Sequence, residues 1–259
     1  MSQPPEFSAP AFHEALTTRA IGRSFLYRTS TPTTMVLARR EAEEGAPHGT
    51  LVLAEEQTAG RGRRGRSFYS PPGENLYFTL VLRQGMEAHR RLPVAVPLAV
   101  CAACAAEGVE ARIKWPNDIW VGERKLSGIL IDAEVGGAEA IAFPGIGVNV
   151  NGDPTLNPEL RDIATSLRRE LGRPVERERL LARICNELEL ALGMPEPELI
   201  ARYRAVSIVL GRRVAVAPAG KTLFEAVAEA IAEDGSLVVR HDDGTAETVR
   251  AADVTVRPA

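Results

Sequence analysis

This sequence has no excess of positive charge, few cysteines and no long apolar run, and each shortage excludes a class of protein. The 259 residues contain 31 Lys and Arg against 34 Asp and Glu, for a formal net charge of −3. A general nucleic-acid binder is not expected, because phosphate backbones are met by an excess of cations. No run of about eighteen uncharged apolar residues is present, so no membrane-spanning helix is expected. Any basic site must therefore be local.

The three cysteines are too few, and odd in number, for a disulfide framework, which favours a cytoplasmic location. Cys101 and Cys104 form a C-x-x-C within LAVCAACAAEG, an alanine-rich apolar run that predicts a buried helix. Because residues i and i+3 share one helix face, we interpret both as core residues rather than a redox or metal site. The N-terminal segment has no long apolar run, so neither a signal peptide nor a membrane anchor is expected.

Apolar patterning predicts alternating strands and helices, hence an α/β protein with a mixed central sheet flanked by helices. The first twenty or so residues are expected to be loosely ordered, apart from a short helix within residues 10–20. TTMVLARREAEEG predicts an amphipathic helix with Met35, Val36 and Leu37 inward, and a longer helix is expected over residues 94–107. The closeness of GILIDAEV and AIAFPGIGVNV predicts antiparallel pairing.

A change of pattern near Val206 predicts two domains, residues 1–206 and 207–259. Before it, three helical segments follow one another. After it, short apolar or alternating segments are cut by Gly and Asp-Gly, which is typical of a small antiparallel barrel. The segment LFEAVAEAIAEDG is ambiguous, because its alanines and glutamates favour a helix. We predict a strand, since an Asp-Gly turn leads directly into SLVVR.

The segment QTAGRGRRGRSFYSPPGENLYF, residues 57–78, contains the spacing G-x-G-x-x-G of a dinucleotide-binding turn. A dinucleotide turn opens a helix, whereas two prolines and a glycine follow here, so that interpretation fails. Glycines let a backbone approach a ligand closely, and guanidinium groups suit carboxylate and phosphate oxygens. The loop therefore favours an acyl group being activated by a nucleotide over a solvated surface loop. Its basic residues are Arg61, Arg63, Arg64 and Arg66.

A second group of polar residues lies in IKWPNDIWVGERKLSGILIDAE, at the ends of predicted strands and in the turn between them. Asn117 and Asp118 carry oxygens that suit Mg²⁺, a ribose or a phosphate group. Lys125 precedes an apolar run, so its ammonium can enter a pocket at the sheet edge. Each residue alone would be an ordinary surface or turn residue, but beside the arginine loop they predict a site.

In this order, QTAGRGRRGR, KWPNDIW with ERKLSGILIDAE, GIGVNVN and ATSL resemble the biotin–protein ligases, also called biotin–acetyl-CoA-carboxylase ligases. The resemblance runs from about Thr33 to the C-terminus. It implies a fold related to class II aminoacyl-tRNA synthetases, followed by a small C-terminal SH3-like barrel. The implied reaction activates biotin with ATP and Mg²⁺ as biotinyl-5′-AMP and transfers it to a lysine of a biotin carboxyl carrier protein. A homodimer also fits, because sheet edges in this family often pair.

The resemblance also implies residue roles, which group by ligand. The implied catalytic residues are Lys125, Arg63 and Asp118, and Asp118 is also the implied metal ligand. The implied biotin contacts are Thr33, Thr34, Met35, Gln57, Arg61, Gly62, Arg63 and Lys125. The implied ATP contacts are Arg63, Arg66, Phe68, Lys114, Asn117, Asp118 and Asn149.

Two departures from the family pattern leave alternatives open. Thr33-Thr34 match the family's Ser-Thr pair, which hydrogen-bonds the ureido ring of biotin, but Ser30-Thr31 offer a rival register. The threonines can also simply cap the helix. Phe68 stands where the family commonly has Trp, and it either covers the ligand or packs in the core.

Three alternatives concern function. Some family members carry an N-terminal helix-turn-helix, but too few residues precede Thr33 for one, so no DNA binding is expected. The chain could instead be a non-catalytic sensor of biotin or biotinyl-AMP, against which Lys125 and Asp118 argue. It could also be an acyl-adenylate ligase for another short acid such as lipoate. Gln57, the arginine loop and the missing R-x-S-G-G-G-A-type stretch of lipoate ligases argue against that reading.

Overall fold

A computed structural model of the chain describes residues 6–136, 139–218, 224–250 and 254–258. Its strands up to residue 148 are β1 (Phe25–Thr31), β2 (Thr50–Gln57), β3 (Leu76–Gln84), β4 (Arg112–Lys114), β5 (Asp118–Val121), β6 (Arg124–Gly136) and β7 (Glu139–Val148). They form one seven-stranded sheet in the order β1-β2-β3-β7-β6-β5-β4. β1 and β2 are parallel, and every other neighbouring pair is antiparallel. The mixed sheet and the antiparallel pairing of β6 with β7 are confirmed.

Helices cover both faces of this sheet. They are α1 (Ala9–Ala15), α2 (Thr34–Glu43), α3 (Met86–Ala106), α4 (Leu167–Leu171), α5 (Arg177–Gly193) and α6 (Glu196–Val206). α2 packs on β2, β3 and β7, whereas α3 lies on the other face beneath α5 and α6. Alternate strand residues serve the two faces: Val52 and Val81 join the α2 cluster, while Leu51 and Leu80 join the larger core. This alternation follows from the two-residue period of a strand.

Three expectations about these elements are wrong. The N-terminal segment is packed rather than loose from residue 7 onward, because Phe7 and Phe12 are buried in the main core. Val36 is 54% exposed and does not face inward, whereas Met35 and Leu37 pack with the buried Ala38 and Ala42 as expected. The long helix α3 begins at Met86, about two turns before the expected start.

The C-terminal part forms a separate sheet of five strands. They are β8 (Arg213–Pro218), β9 (Phe224–Ile231), β10 (Leu237–Arg240), β11 (Ala246–Val249) and β12 (Val254–Pro258). Their order is β11-β10-β9-β8-β12, antiparallel throughout, as in an SH3-like domain. The ambiguous segment is strand β9, as predicted, because Ala226 and Ala228 are buried while their neighbours point outward. The domain boundary after residue 206 stays a prediction.

The cysteines lie in the protein interior. Cys101, Cys104 and Cys185 are free thiols, and all are buried. Burial raises the pKa of Cys101 and raises that of Cys104 to about 12, which keeps both thiols protonated and unreactive. Within the described ranges, none of the helices has both the length and the apolar character needed to cross a bilayer.

Candidate active site

A cavity of about 770 Å³ opens on the α2 face of the main sheet, between α2, the arginine loop and the ends of β5, β6 and β7. It gathers residues from segments far apart in the sequence. Every residue assigned above to catalysis, biotin, ATP or metal lines it: Thr33, Thr34, Met35, Gln57, Arg61, Gly62, Arg63, Arg66, Phe68, Lys114, Asn117, Asp118, Lys125 and Asn149. The structure therefore brings the two predicted groups together, while their individual roles stay predictions.

Two polar pairs lie in the cavity wall. Lys125 Nζ is 2.6 Å from Asp118 Oδ1, and Arg63 Nη1 donates to Asn117 Oδ1 at 3.2 Å. Asn117 is held in turn by its own amide, which donates to the Ile129 carbonyl at 2.7 Å. The first pair joins β6 to β5, and the second joins the arginine loop to the turn before β5. The cavity thus contains two cations whose positions are fixed by partners from KWPND.

Lys114 and Trp120 form a third contact in the same wall. They lie on the neighbouring strands β4 and β5, and Lys114 Nζ is 3.6 Å from the centre of the Trp120 ring. This is a close cation–π contact, which stabilises the ammonium over the ring face. Trp120 was not among the predicted site residues.

At the other end of the cavity, neutral polar groups meet below the start of α2. Thr33 caps the helix by accepting a hydrogen bond from Met35 N at 3.1 Å. Thr34 donates its backbone N–H to Gln57 Oε1 at 2.9 Å, and its hydroxyl lies 2.8 Å from Thr79 Oγ1. Capping and lining the cavity are therefore compatible roles. The rival Ser30 is exposed and donates to Glu56 at 3.2 Å, so the geometry favours the Thr33-Thr34 register.

The arginine loop is a closed turn and not the start of a helix. Phe68 N donates to Gly60 O at 2.9 Å, and Gly62 N donates to Arg66 O at 2.7 Å. Between them, residues 63–65 form a short 3₁₀ turn, and the next regular element is strand β3. The dinucleotide-binding interpretation is therefore excluded by the structure as well.

Phe68 is half-buried, and its ring has contacts on two sides. It packs edge-to-face with Tyr77, with ring centres 6.4 Å apart at 77°. It also lines the cavity, where Lys125 Nζ lies 6.0 Å from its centre. The ring thus packs on the buried Tyr77 and forms part of the cavity wall.

Several residues that line the cavity were not predicted from the sequence, chiefly glycines, whose lack of a side chain leaves space in the cavity. Gly128, Gly145 and Gly147 lie on the cavity face of β6 and β7. A pair of glycines two residues apart in a predicted strand, as in GIG, indicates that something approaches the backbone closely. That signal was present in the sequence. Thr79, Arg39 and Asp132 carried no comparable signal, because their positions depend on how the strands pair.

Comparison with known proteins agrees with this geometry. Residues 25–150 match the family model described as "Biotin/lipoate A/B protein ligase family", and residues 209–257 match "Biotin protein ligase C terminal domain". The chain is 34% identical over 223 residues to the biotin–[acetyl-CoA-carboxylase] ligase of Paracoccus denitrificans, a match over 81% of this chain and 91% of that protein. The chain belongs to the biotin/lipoate A/B protein ligase family.

Other relatives of this family differ in length. The chain is 35% identical over 183 residues to the bifunctional ligase/repressor BirA of Bacillus subtilis (strain 168). That match spans 68% of this chain and only 56% of the relative. Among solved structures, the chain resembles the biotin protein ligase from Aquifex aeolicus in complex with biotin and ATP, with a TM-score of 0.75 and 25% identity. This likeness covers 92% of the present chain and 100% of the other.

Proposed function

We propose that this chain is an ATP-dependent ligase that activates biotin as biotinyl-5′-AMP and transfers the biotinyl group to a lysine of a biotin carboxyl carrier protein. One observation carries the proposal: Arg63 of the arginine loop and Lys125 at the start of β6 line the same cavity as Asp118. The reaction must hold a carboxylate next to a phosphate, and these anions repel each other. Cations fixed on both sides of such a pair reduce that repulsion.

In the first step, a biotin carboxylate oxygen attacks the α-phosphorus of ATP, and pyrophosphate leaves. Lys125 and Arg63 bridge the carboxylate and the α-phosphate, and they stabilise the charge that develops on the transferring group. Biotin is held at the start of α2 and the end of β2, and by the beginning of the arginine loop. The residues are Thr33, Thr34, Met35, Gln57, Arg61 and Gly62. The nucleotide end meets Arg66, Phe68, Lys114, Asn117 and Asn149. The cavity also shields the mixed anhydride from water.

In the second step, the ε-amine of a carrier lysine attacks the biotinyl carbonyl carbon, and AMP leaves with the bonding electrons. The amine loses a proton as the amide forms, and the Asp118 carboxylate accepts it. Asp118 is the carboxylate nearest to Lys125, at 2.6 Å, and it orients the incoming amine. Both half-reactions thus use the same corner of the cavity.

The donor set suits Mg²⁺ bound mainly through ATP. No cluster of three or more His, Cys, Asp or Glu residues that could hold a metal occurs in the part of the chain that the structure describes. Mg²⁺ usually takes only one or two protein carboxylates when substrate phosphates supply the rest, and Asp118 fits that role. The ion would offset the negative charge of the phosphates.

The test is a reconstitution with purified protein, biotin, labelled ATP, Mg²⁺ and an unmodified carrier domain. We expect pyrophosphate release that requires biotin, followed by biotinylation of one carrier lysine, detected by mass spectrometry. Pyrophosphate release without biotin would overturn the proposal. Binding of the adenylate without transfer to the carrier would favour the alternative that the chain is a non-catalytic sensor. A preference for lipoate over biotin in competition would favour a ligase for another short acid.

We also propose that this protein is cytoplasmic and forms a homodimer. The three free, buried thiols support a reducing compartment. Sedimentation equilibrium of the purified chain tests the dimer: a single species at the monomer mass across the micromolar range contradicts it.

A further inference from the structure

Two glycines lie side by side on the cavity face of the main sheet. Gly147 of β7 pairs directly with Gly128 of β6. Beyond them in the same row are Tyr77 on β3 and Asp118 on β5. Directly paired residues share one face of a sheet, so this row leaves a shallow gap between two larger side chains.

The Phe68 ring fills that gap. A Cβ at Gly147 would lie 2.4 Å from Phe68 Cε1 and 2.5 Å from Cζ, far inside the 3.5–4.0 Å optimum for carbon atoms. A Cβ at Gly128 would lie 3.1 Å from Phe68 Cε2 and also 3.1 Å from Lys125 Nζ. Any side chain at Gly147 must therefore displace the ring, and one at Gly128 would crowd it.

Phe68 also closes the base of the arginine loop. Its backbone N–H bonds to Gly60 O at 2.9 Å, and the next pair inward is the bridge between Arg61 and Ser67. The fit at the base is tight, since a Cβ at Gly60 would lie 2.5 Å from Phe68 O. Because the ring and the base belong to one residue, the seated ring connects the sheet to the loop that contains Arg63.

We propose that Gly128 and Gly147 form a glycine seat for the Phe68 ring, and that this seat fixes the arginine loop over the cavity. The two glycines are positioning residues, since they act through Phe68 on Arg61 and Arg63. The effect on activity rests on the proposed function, whereas the effect on the loop does not.

The activity test is the variant Gly147→Ala in the wild-type and Phe68→Ala backgrounds. With Phe68 present, the added methyl displaces the ring, and kcat/KM for biotin-dependent pyrophosphate release should fall about 10²-fold, as for a misplaced catalytic group. With Phe68→Ala, the same methyl has no ring to displace, so any further fall should stay within about twofold. Equal losses in both backgrounds would mean that alanine merely disturbs β7, and would overturn the proposal.

Two further variants grade and control the effect. Gly128→Ala should cost less than Gly147→Ala, because its methyl only crowds the ring. Gly85→Ala adds a methyl where no atom lies within 4 Å, in the residue before α3, and should leave kcat/KM unchanged. A Gly128 variant that is more damaging than the Gly147 variant contradicts the geometry of the seat.

Limited trypsin digestion reads the loop independently of catalysis, because the loop contains four arginines. Cleavage after Arg61, Arg63, Arg64 or Arg66, followed by mass spectrometry, should be about tenfold faster in Gly147→Ala than in wild type or Gly85→Ala. Unchanged cleavage would refute the seat, even in an active enzyme. If wild type does not activate biotin, the proposed function fails, and the digestion still decides whether the seat holds the loop.

Discussion

Replacing Lys125 with alanine separates catalysis from stability. Lys125 and Asp118 form a 2.6 Å ion pair whose side chains are 33% and 27% exposed. Solvent screens a pair of this exposure, so we expect the free energy of unfolding to change by about 1 kcal/mol or less. On the proposed function, the adenylation rate depends on the ammonium itself. Loss of one preorganised charge-stabilising donor costs ~10²–10³ in rate, and we expect that loss here.

The assay is single-turnover formation of biotinyl-AMP, with urea unfolding measured on the same samples. Arg202→Ala is the matched control, because Arg202 forms a 2.8 Å ion pair with Glu198 on α6 at 55% and 49% exposure. It removes a cation and an ion pair away from the cavity, so its rate should equal that of wild type. Adenylation by Lys125→Ala within about threefold of wild type would refute the catalytic role, because a donor to the transition state cannot be so dispensable.

Two predictions concern the fold around the site. Arg177→Leu leaves Glu55, which is 7% exposed, without the guanidinium that donates to both its oxygens at 2.6 and 3.1 Å. Urea unfolding should show that the free energy of unfolding falls by about 3–5 kcal/mol, and a fall below about 1 kcal/mol would mean that the pair is solvated. For Glu189, burial opposes ionisation, but three backbone N–H donors from residues 19–21 outweigh it and lower the pKa below the ordinary 4.5. Because the folded pKa is the lower one, its stabilisation is present above the unfolded pKa and is lost as pH falls through the folded value. The gap in urea midpoint between Glu189→Gln and wild type should thus be open at neutral pH and close in acid; a gap independent of pH contradicts this.

The sequence predicted the sheet where a local pattern decides the structure. Strand β9 is the clearest case, because an apolar alternation and an Asp-Gly turn outweighed the helix propensity of its alanines and glutamates. The start of α3 was missed, because Pro93 interrupts the backbone hydrogen bonding inside the helix. Burial of its apolar face against the sheet and α5 offsets that loss. Such packing energy belongs to the tertiary structure and leaves no mark in a short window of sequence.

The residues of the candidate site also fall into two groups, those with a local signal in the sequence and those whose position depends on the tertiary structure. Arg63, Asn117 and Lys125 could be predicted to line a site because two groups of polar residues occur beside apolar strands, although each residue alone would be ordinary. The glycine seat could not be predicted in full. Glycines alternating along β7 indicate a close approach, but not that the approaching group is the ring of Phe68, nor that Gly128 lies opposite. Those facts depend on strand register, which is set by the whole sheet.

The KWPND segment, which leads into β5, supplies a polar partner for each of two cations, and this accounts for its mixture of residues. Cations collected in a partly buried cavity repel one another and lose hydration, so each needs a nearby partner before any substrate arrives. Asp118 and Asn117 provide these partners for Lys125 and Arg63. On the proposed function, a carboxylate and a phosphate then compete with them, and Asp118 becomes available to the amine of the carrier. A neutral side chain at position 118 should therefore slow both adenylation and transfer. It removes the partner that holds Lys125 in place and the carboxylate that orients the amine of the carrier lysine.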